Sequence, residues 1–170
     1  IVAKRIKRSE GFLFRFLYFM HKLITFIFTG KKINFGNFSC LNRKDVELIS
    51  TQASLWNSYS GTLKKYISGL VSINSIRGER YFGPSKMSLY NLIMHSFSII
   101  AVFKYQVLIR SILIIIVLNY FKIYLAILSS LFQIFILIFC VIIFLISTRE
   151  KKDEIINSQE NLDNIKVITH

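Results

Sequence analysis

The sequence predicts an α/β portion with interfacial amphipathic helices, followed by an α-helical transmembrane hairpin. Residues 1–104 mix helical apolar patterns with a short alternating segment, which is typical of an α/β arrangement. Residues 105–148 are almost continuously apolar, and Lys122 is the only charged residue between Ser111 and Ser147. Two hydrophobic segments follow one another here, and the second is long enough to cross a bilayer with some tilt, which predicts a hairpin. Residues 149–170 form a polar tail.

The charge is strongly basic and unevenly distributed. The 170 residues carry a net charge of +13, whereas residues 149–170 hold four basic and five acidic side chains. The basic excess therefore lies entirely before the tail. Such a field suits an anionic lipid, a phosphorylated substrate or nucleic acid. Because the basic residues bracket apolar segments and form no RNA-binding sheet motif, we do not expect a nucleic-acid partner.

The first apolar segment, residues 12–28, is near the lower length limit for a spanning helix. Arg15, His21 and Lys22 interrupt it, and Arg15 and Lys22 lie on one helical face. This pattern predicts a helix that lies in the headgroup region of a membrane. A transmembrane span is the alternative.

The central region reads as short alternating elements. Gly36–Asn37 is a turn signal, and residues 38–41 suggest a short strand or a buried turn. Residues 43–56 predict a helix with Asn42 as its N-cap, and residues 61–70 predict a second helix. Residues 71–76, VSINSI, alternate apolar and polar side chains, which predicts a strand.

A second amphipathic helix is predicted from Lys86 to Lys104, with Ser85 as a candidate N-cap. The hairpin follows as residues 107–121 and 123–147. Basic residues flank both outer ends of the hairpin and only Lys122 lies in its connection, so both ends should face the cytoplasm. Arg110 is expected to extend its guanidinium to that interface. We expect the tail to be a mobile segment or a short surface helix.

A compact cationic turn, RGERYFGPSK, runs from Arg77 to Lys86. Arginine suits bidentate contact with phosphate oxygens, and lysine adds a point charge. Gly83 would let backbone N–H groups approach an anion, and Ser85 adds a hydroxyl donor. These residues predict a phosphate or diphosphate site at the membrane surface. A basic turn that touches lipid headgroups without specificity is the alternative on these residues alone.

Other catalytic patterns are missing from the sequence. It has no Gly-rich phosphate loop followed by Lys-Ser/Thr. His21, His95 and His170 have no metal-ligand spacing, and no histidine accompanies a nucleophile and an acidic residue in a triad-like order. The 170 residues therefore contain no complete active site.

Three blocks together resemble a known enzyme family. They are AKRIKRSEGFLFR, GNFSCLNRKDV and the Arg-x-x-Arg-x-x-Gly-x-Ser-Lys of the cationic turn, which precede an amphipathic helix and a membrane hairpin. Their order and separations resemble the family 2 polyisoprenyl-phosphate glycosyltransferases of the dolichol-phosphate mannosyltransferase type. The resemblance covers residues 1–147 and is specific for the family but not for the sugar.

The resemblance implies part of a glycosyltransferase A-type α/β domain. It implies transfer of a sugar from a nucleotide sugar to a polyprenyl phosphate-type lipid at the cytoplasmic face of a bacterial inner membrane. The cationic-turn residues Arg80, Ser85 and Lys86, with Arg77, would contact donor diphosphate and acceptor phosphate, and Arg5 would lie near the acceptor phosphate. A homo-oligomer is compatible with this family.

Two departures from the family pattern matter. Asn37 stands at the family's aspartate and cannot act as a carboxylate base, although a phosphate acceptor needs no deprotonation; Ser39 stands at the family's arginine. The divalent cation (Mg or Mn) expected for the intact enzyme would be held by an upstream Asp-x-Asp. The chain begins at Ile1 and lacks that motif. We therefore expect it to be an interior segment of a longer enzyme and to be inactive alone. A non-catalytic basic membrane anchor or scaffold is the alternative function.

Overall fold

The computed structural model describes residues 1–7, 12–76, 88–121 and 126–163. Within these ranges the chain is mostly helical, with one small mixed sheet. A complete glycosyltransferase A-type fold is not shown. The strands and helices, in chain order, are β1 (Val2–Lys7), α1 (Phe12–Thr29), β2 (Phe35–Ser39), α2 (Arg43–Ser50), α3 (Tyr59–Tyr66), β3 (Ser72–Ile76), α4 (Leu89–Ala101), α5 (Lys104–Phe121), α6 (Ala126–Ser147) and α7 (Lys152–Asp163).

The sheet has the order β2–β1–β3. β1 runs antiparallel to β2 and parallel to β3. β1 was not predicted, because its basic side chains mask the alternation that marks a strand. The predicted turn at Gly36–Asn37 is wrong: both residues lie inside β2, where the pairing register with β1 shifts. The irregular pairing explains why turn-forming residues are tolerated there.

The helices around the sheet follow local capping signals. Asn42 caps α2 as predicted, since its Oδ1 accepts a hydrogen bond from the Asp45 N–H at 2.7 Å. The predicted helix over 43–56 ends earlier, at Ser50, and a separate 3₁₀ turn follows at Ala53–Trp56. The second helix forms at Tyr59–Tyr66 and β3 forms within the predicted strand.

The start of α4 corrects one prediction. Ser88, not Ser85, is the N-cap, because its Oγ accepts a hydrogen bond from the Asn91 N–H at 3.2 Å. The positive end of the helix dipole therefore lies at Ser88, beyond the cationic turn. α4 then buries its last turn, including Ile100 and Ala101.

The two apolar segments form the helices α5 and α6, each long and apolar enough to cross a membrane. Most of their large apolar side chains face outward, as a lipid-facing surface requires. Their inner faces join α1 and α4 in one apolar cluster around Phe139, whose ring lies 4.6 Å from Phe28 of α1 and 5.7 Å from Phe97 of α4. Beyond α6, the tail forms the helix α7, which agrees with the surface-helix interpretation.

Candidate functional site

One end of the sheet brings together sequence blocks that lie about 70 residues apart. β1 and β3 pair in parallel, with Arg5 opposite Ser75 and Lys7 opposite Ile76. Parallel strands end at the same edge of a sheet. Because β3 ends at Ile76, the strand that carries Arg5 lies beside the strand that runs directly into Arg77. We call this end, formed by Lys7 and Ile76, the carboxyl edge.

The pairing of β1 with β3 is regular until it reaches this edge. Arg5 and Lys7 pair with consecutive residues of β3, so Ile6 is an extra residue in β1. The Ser75 hydroxyl donates to the Lys4 carbonyl at 3.4 Å, next to this bulge. Bulges of this kind end regular pairing and redirect side chains, and they are frequent beside functional sites.

The strand that reaches the carboxyl edge is basic in sequence. β1 contains Lys4, Arg5 and Lys7, and none of the three strands contains an acidic residue. A strand of this composition favours anionic ligands such as phosphates.

Asn37 lies on β2, the strand on the other side of β1, and its side chain is exposed. The sheet thus places Arg5 and Asn37 on neighbouring strands, with Asn37 between the β2 partners of Val2 and Lys4. Ser39 at the end of β2 has a structural partner, because its Oγ lies 2.5 Å from Oη of Tyr59 on α3. This hydrogen bond ties β2 to α3.

The remaining predicted phosphate contacts lie outside the described residues. Arg77, Arg80, Ser85 and Lys86 belong to residues 77–87, and for Arg5 only the backbone is described. The described residues on either side of this segment are Ile76, which ends β3 at the carboxyl edge, and Ser88, the N-cap of α4.

The sheet does not fit a divalent cation by itself. Its described strands offer amide and hydroxyl groups but no carboxylate, and hard divalent cations prefer carboxylate oxygens. Among the described residues there is also no group of three His, Cys, Asp or Glu side chains that could hold a metal ion. We therefore assign no step of a reaction here to a metal.

Sequence reasoning missed a polar cluster where the hairpin meets the rest of the chain. Glu150, just after α6, accepts hydrogen bonds from Lys104 Nζ at 3.0 Å and from Asn57 Nδ2 at 3.0 Å. We call these three residues the junction cluster. Lys104 lies 46 residues before Glu150 in the sequence, and Asn57 lies 93 residues before it, so no local sequence pattern predicts that these side chains meet. The cluster ties both ends of the hairpin to the 3₁₀ turn beside α3.

No protein family model, curated protein or solved structure matches this chain. Its function must therefore be inferred from the carboxyl edge, the two long apolar helices and the sequence motifs between them.

Proposed function

We propose that this chain is the acceptor-side part and membrane anchor of an inverting glycosyltransferase. The enzyme would transfer a sugar from a nucleotide sugar to a polyprenyl phosphate-type lipid at the cytoplasmic membrane surface. The observation that carries the proposal is the parallel pairing of β1 with β3. It supports the proposal because it sets the block containing Arg5 beside the strand that leads into Arg77, Arg80, Ser85 and Lys86.

The chemistry suits a basic site without a carboxylate base. An oxygen of the acceptor phosphate attacks the anomeric carbon, a new C–O bond forms, and the bond to the nucleotide diphosphate breaks. The electron pair leaves with the diphosphate, whose growing negative charge is stabilised by positive side chains. The acceptor phosphate is already ionised at neutral pH, so the amide of Asn37 at the family's aspartate position is compatible with this reaction.

The placement of the hairpin supports a lipid acceptor. α4 begins right after the cationic turn and packs against α6, and α5 follows α4 within three residues. A lipid phosphate at the membrane surface would therefore be close to the segment that we expect to bind it. Cytoplasmic orientation follows from the basic residues that flank the hairpin ends.

The proposal predicts loss of transfer when the cationic turn is changed. The complete polypeptide that contains this chain, reconstituted with polyprenyl phosphate, should move label from a nucleotide sugar into the lipid phase. Arg80→Ala and Lys86→Ala should each lower kcat/KM by about tenfold or more, because each removes a charge-assisted contact to phosphate.

Lys44→Ala is the matched control, since Lys44 is an exposed cation on α2 and is not one of the predicted phosphate contacts. Its activity should equal that of the unchanged protein. Near-normal transfer in both Arg80→Ala and Lys86→Ala would contradict the phosphate-site assignment. Absence of transfer from every nucleotide sugar tested would favour the non-catalytic anchor or scaffold instead.

A further inference from the structure

Helix α1 carries an exposed apolar stripe that the fold itself does not use. Its members recur every three or four residues along the whole helix, which places them on one face. They are Phe12 (85% exposed), Phe16, Phe19, Leu23 and Phe26. We call this set the α1 stripe. Thr25, Phe28 and Thr29 are buried on another face of the helix, so α1 is already anchored to the core without the stripe.

α1 cannot cross a membrane while its neighbours stay paired. β1 and β2, which precede and follow it, are adjacent antiparallel strands, and Lys4 pairs with Phe35. Both ends of α1 must therefore return to the same side of the bilayer. Residues 30–34 connect α1 to β2 and can extend at most about 18 Å, which is short of the roughly 30 Å hydrocarbon core.

The stripe lies where the hairpin enters the apolar layer. Phe28 of α1 contacts Phe139, which is eight residues, or about 12 Å, before the last residue of α6. Arg110 Nη1, six residues into α5, donates to the Ile27 carbonyl at 3.2 Å. The C-terminal half of α1 is thus held at the level of the first turns of α5, next to side chains that face lipid.

The charges of α1 suit an anionic surface. The helix contains no acidic residue, and Arg15 and Lys22 are exposed along one flank of the stripe. Lys31 and Lys32 are exposed directly after the helix. Lys22 Nζ lies 4.4 Å from the centre of the Tyr18 ring, a cation–π contact within the helix.

We propose that the α1 stripe inserts into the headgroup–acyl boundary of an anionic bilayer, with these cations at the lipid phosphates. α1 would then be a membrane-binding element additional to the hairpin. A second copy of the chain suits the stripe less well, because an antiparallel two-fold helix pair would bring the cationic flanks together. The proposal does not depend on the transferase activity proposed above.

Depth-dependent fluorescence quenching tests the proposal. Trp56 is the only tryptophan, so a Trp56→Phe variant has no tryptophan fluorescence and serves as the background for new probes. In liposomes containing phosphatidylglycerol, the indole of Phe19→Trp should be quenched by brominated acyl chains, about twofold more strongly by shallow than by deep bromines. Val46→Trp, at a half-exposed position of the charged helix α2, is the matched control and should not be quenched.

Four results would overturn the assignment. Quenching at Phe19→Trp no stronger than at Val46→Trp would place the stripe outside the bilayer, and stronger quenching by deep bromines would indicate a spanning helix. Disulfide cross-linking between copies through Phe19→Cys, in a Cys40→Ser background, would identify a second chain as the occupant. Equal insertion into phosphatidylglycerol and phosphatidylcholine liposomes would contradict the role of the cations.

Discussion

Glu150→Ala is expected to destabilise the folded chain by about 3–5 kcal/mol, the usual cost of leaving one partner of a buried ion pair alone. Lys104 and Glu150 are mostly buried, with side-chain exposures of 20% and 16%. Removing the carboxylate leaves the Lys104 ammonium without its partner. It also removes the acceptor of the Asn57 Nδ2–H group. The Asn57 side-chain amide would then have no hydrogen bond, because its Oδ1 is already buried without a partner.

Glu47→Ala is the matched control for this variant. Glu47 also pairs with a cation, Arg43, at 2.8 Å, but the two side chains are 63% and 93% exposed. Exposed pairs contribute about 0–1 kcal/mol, so this change should have little effect. Reversible unfolding of the purified protein in mixed micelles would measure both. Equal stability losses for Glu150→Ala and Glu47→Ala would show that the junction cluster does not hold the hairpin to the rest of the chain.

The two long apolar helices α5 and α6 could be predicted from sequence because their signal is compositional. Long apolar runs without Gly or Pro favour helices regardless of what they contact. The Asn42 cap and β3 could also be predicted, because the residues that specify each of them lie within a few positions of one another. Their positions were therefore predicted without any tertiary information.

The sheet partners and the junction cluster could not be predicted in this way. β1 is a strand because β2 and β3 pair with it, and its lysines and arginine alone give little strand preference. Gly36 and Asn37 form turns in isolation but here lie within an irregular strand. Glu150 looks like an ordinary tail residue until the fold brings Lys104 and Asn57 against it.

One part of the candidate site could be predicted from the sequence and another part could not. The cationic turn is visible in the sequence, because arginine, glycine, serine and lysine are concentrated in ten residues. Its relation to Arg5 is not visible, because it depends on the parallel pairing of β1 with β3 across about 70 residues. Ser88 also shows why a local cap is ambiguous, since Ser85 and Ser88 are equally good N-cap residues by type and only the fold selects the second.

Gly30→Ala should weaken the attachment of α1 to the hairpin. Gly30 ends α1 with a φ of 69°, a left-handed conformation that costs other residues about 1–2 kcal/mol. A Cβ at this position would also lie 2.4 Å from Arg110 Nη2 and 2.9 Å from Arg110 Cζ. The guanidinium must therefore shift, and weakening of its exposed hydrogen bond to the Ile27 carbonyl should cost about a further 0.5–1.5 kcal/mol.

Gly69→Ala separates the two contributions. Gly69 has a similar φ of 77°, but a Cβ there would meet nothing within 4 Å, so this variant reports the backbone cost alone. Thermal unfolding of both variants should show a larger loss for Gly30→Ala, and the excess should disappear in an Arg110→Ala background, as a double-mutant cycle would measure. Equal losses for the two glycine variants in the unchanged background would mean that Arg110 contributes nothing to holding α1. An excess that vanishes with Arg110 would instead identify this arginine as the contact that fixes the end of α1, and with it the α1 stripe, against the hairpin.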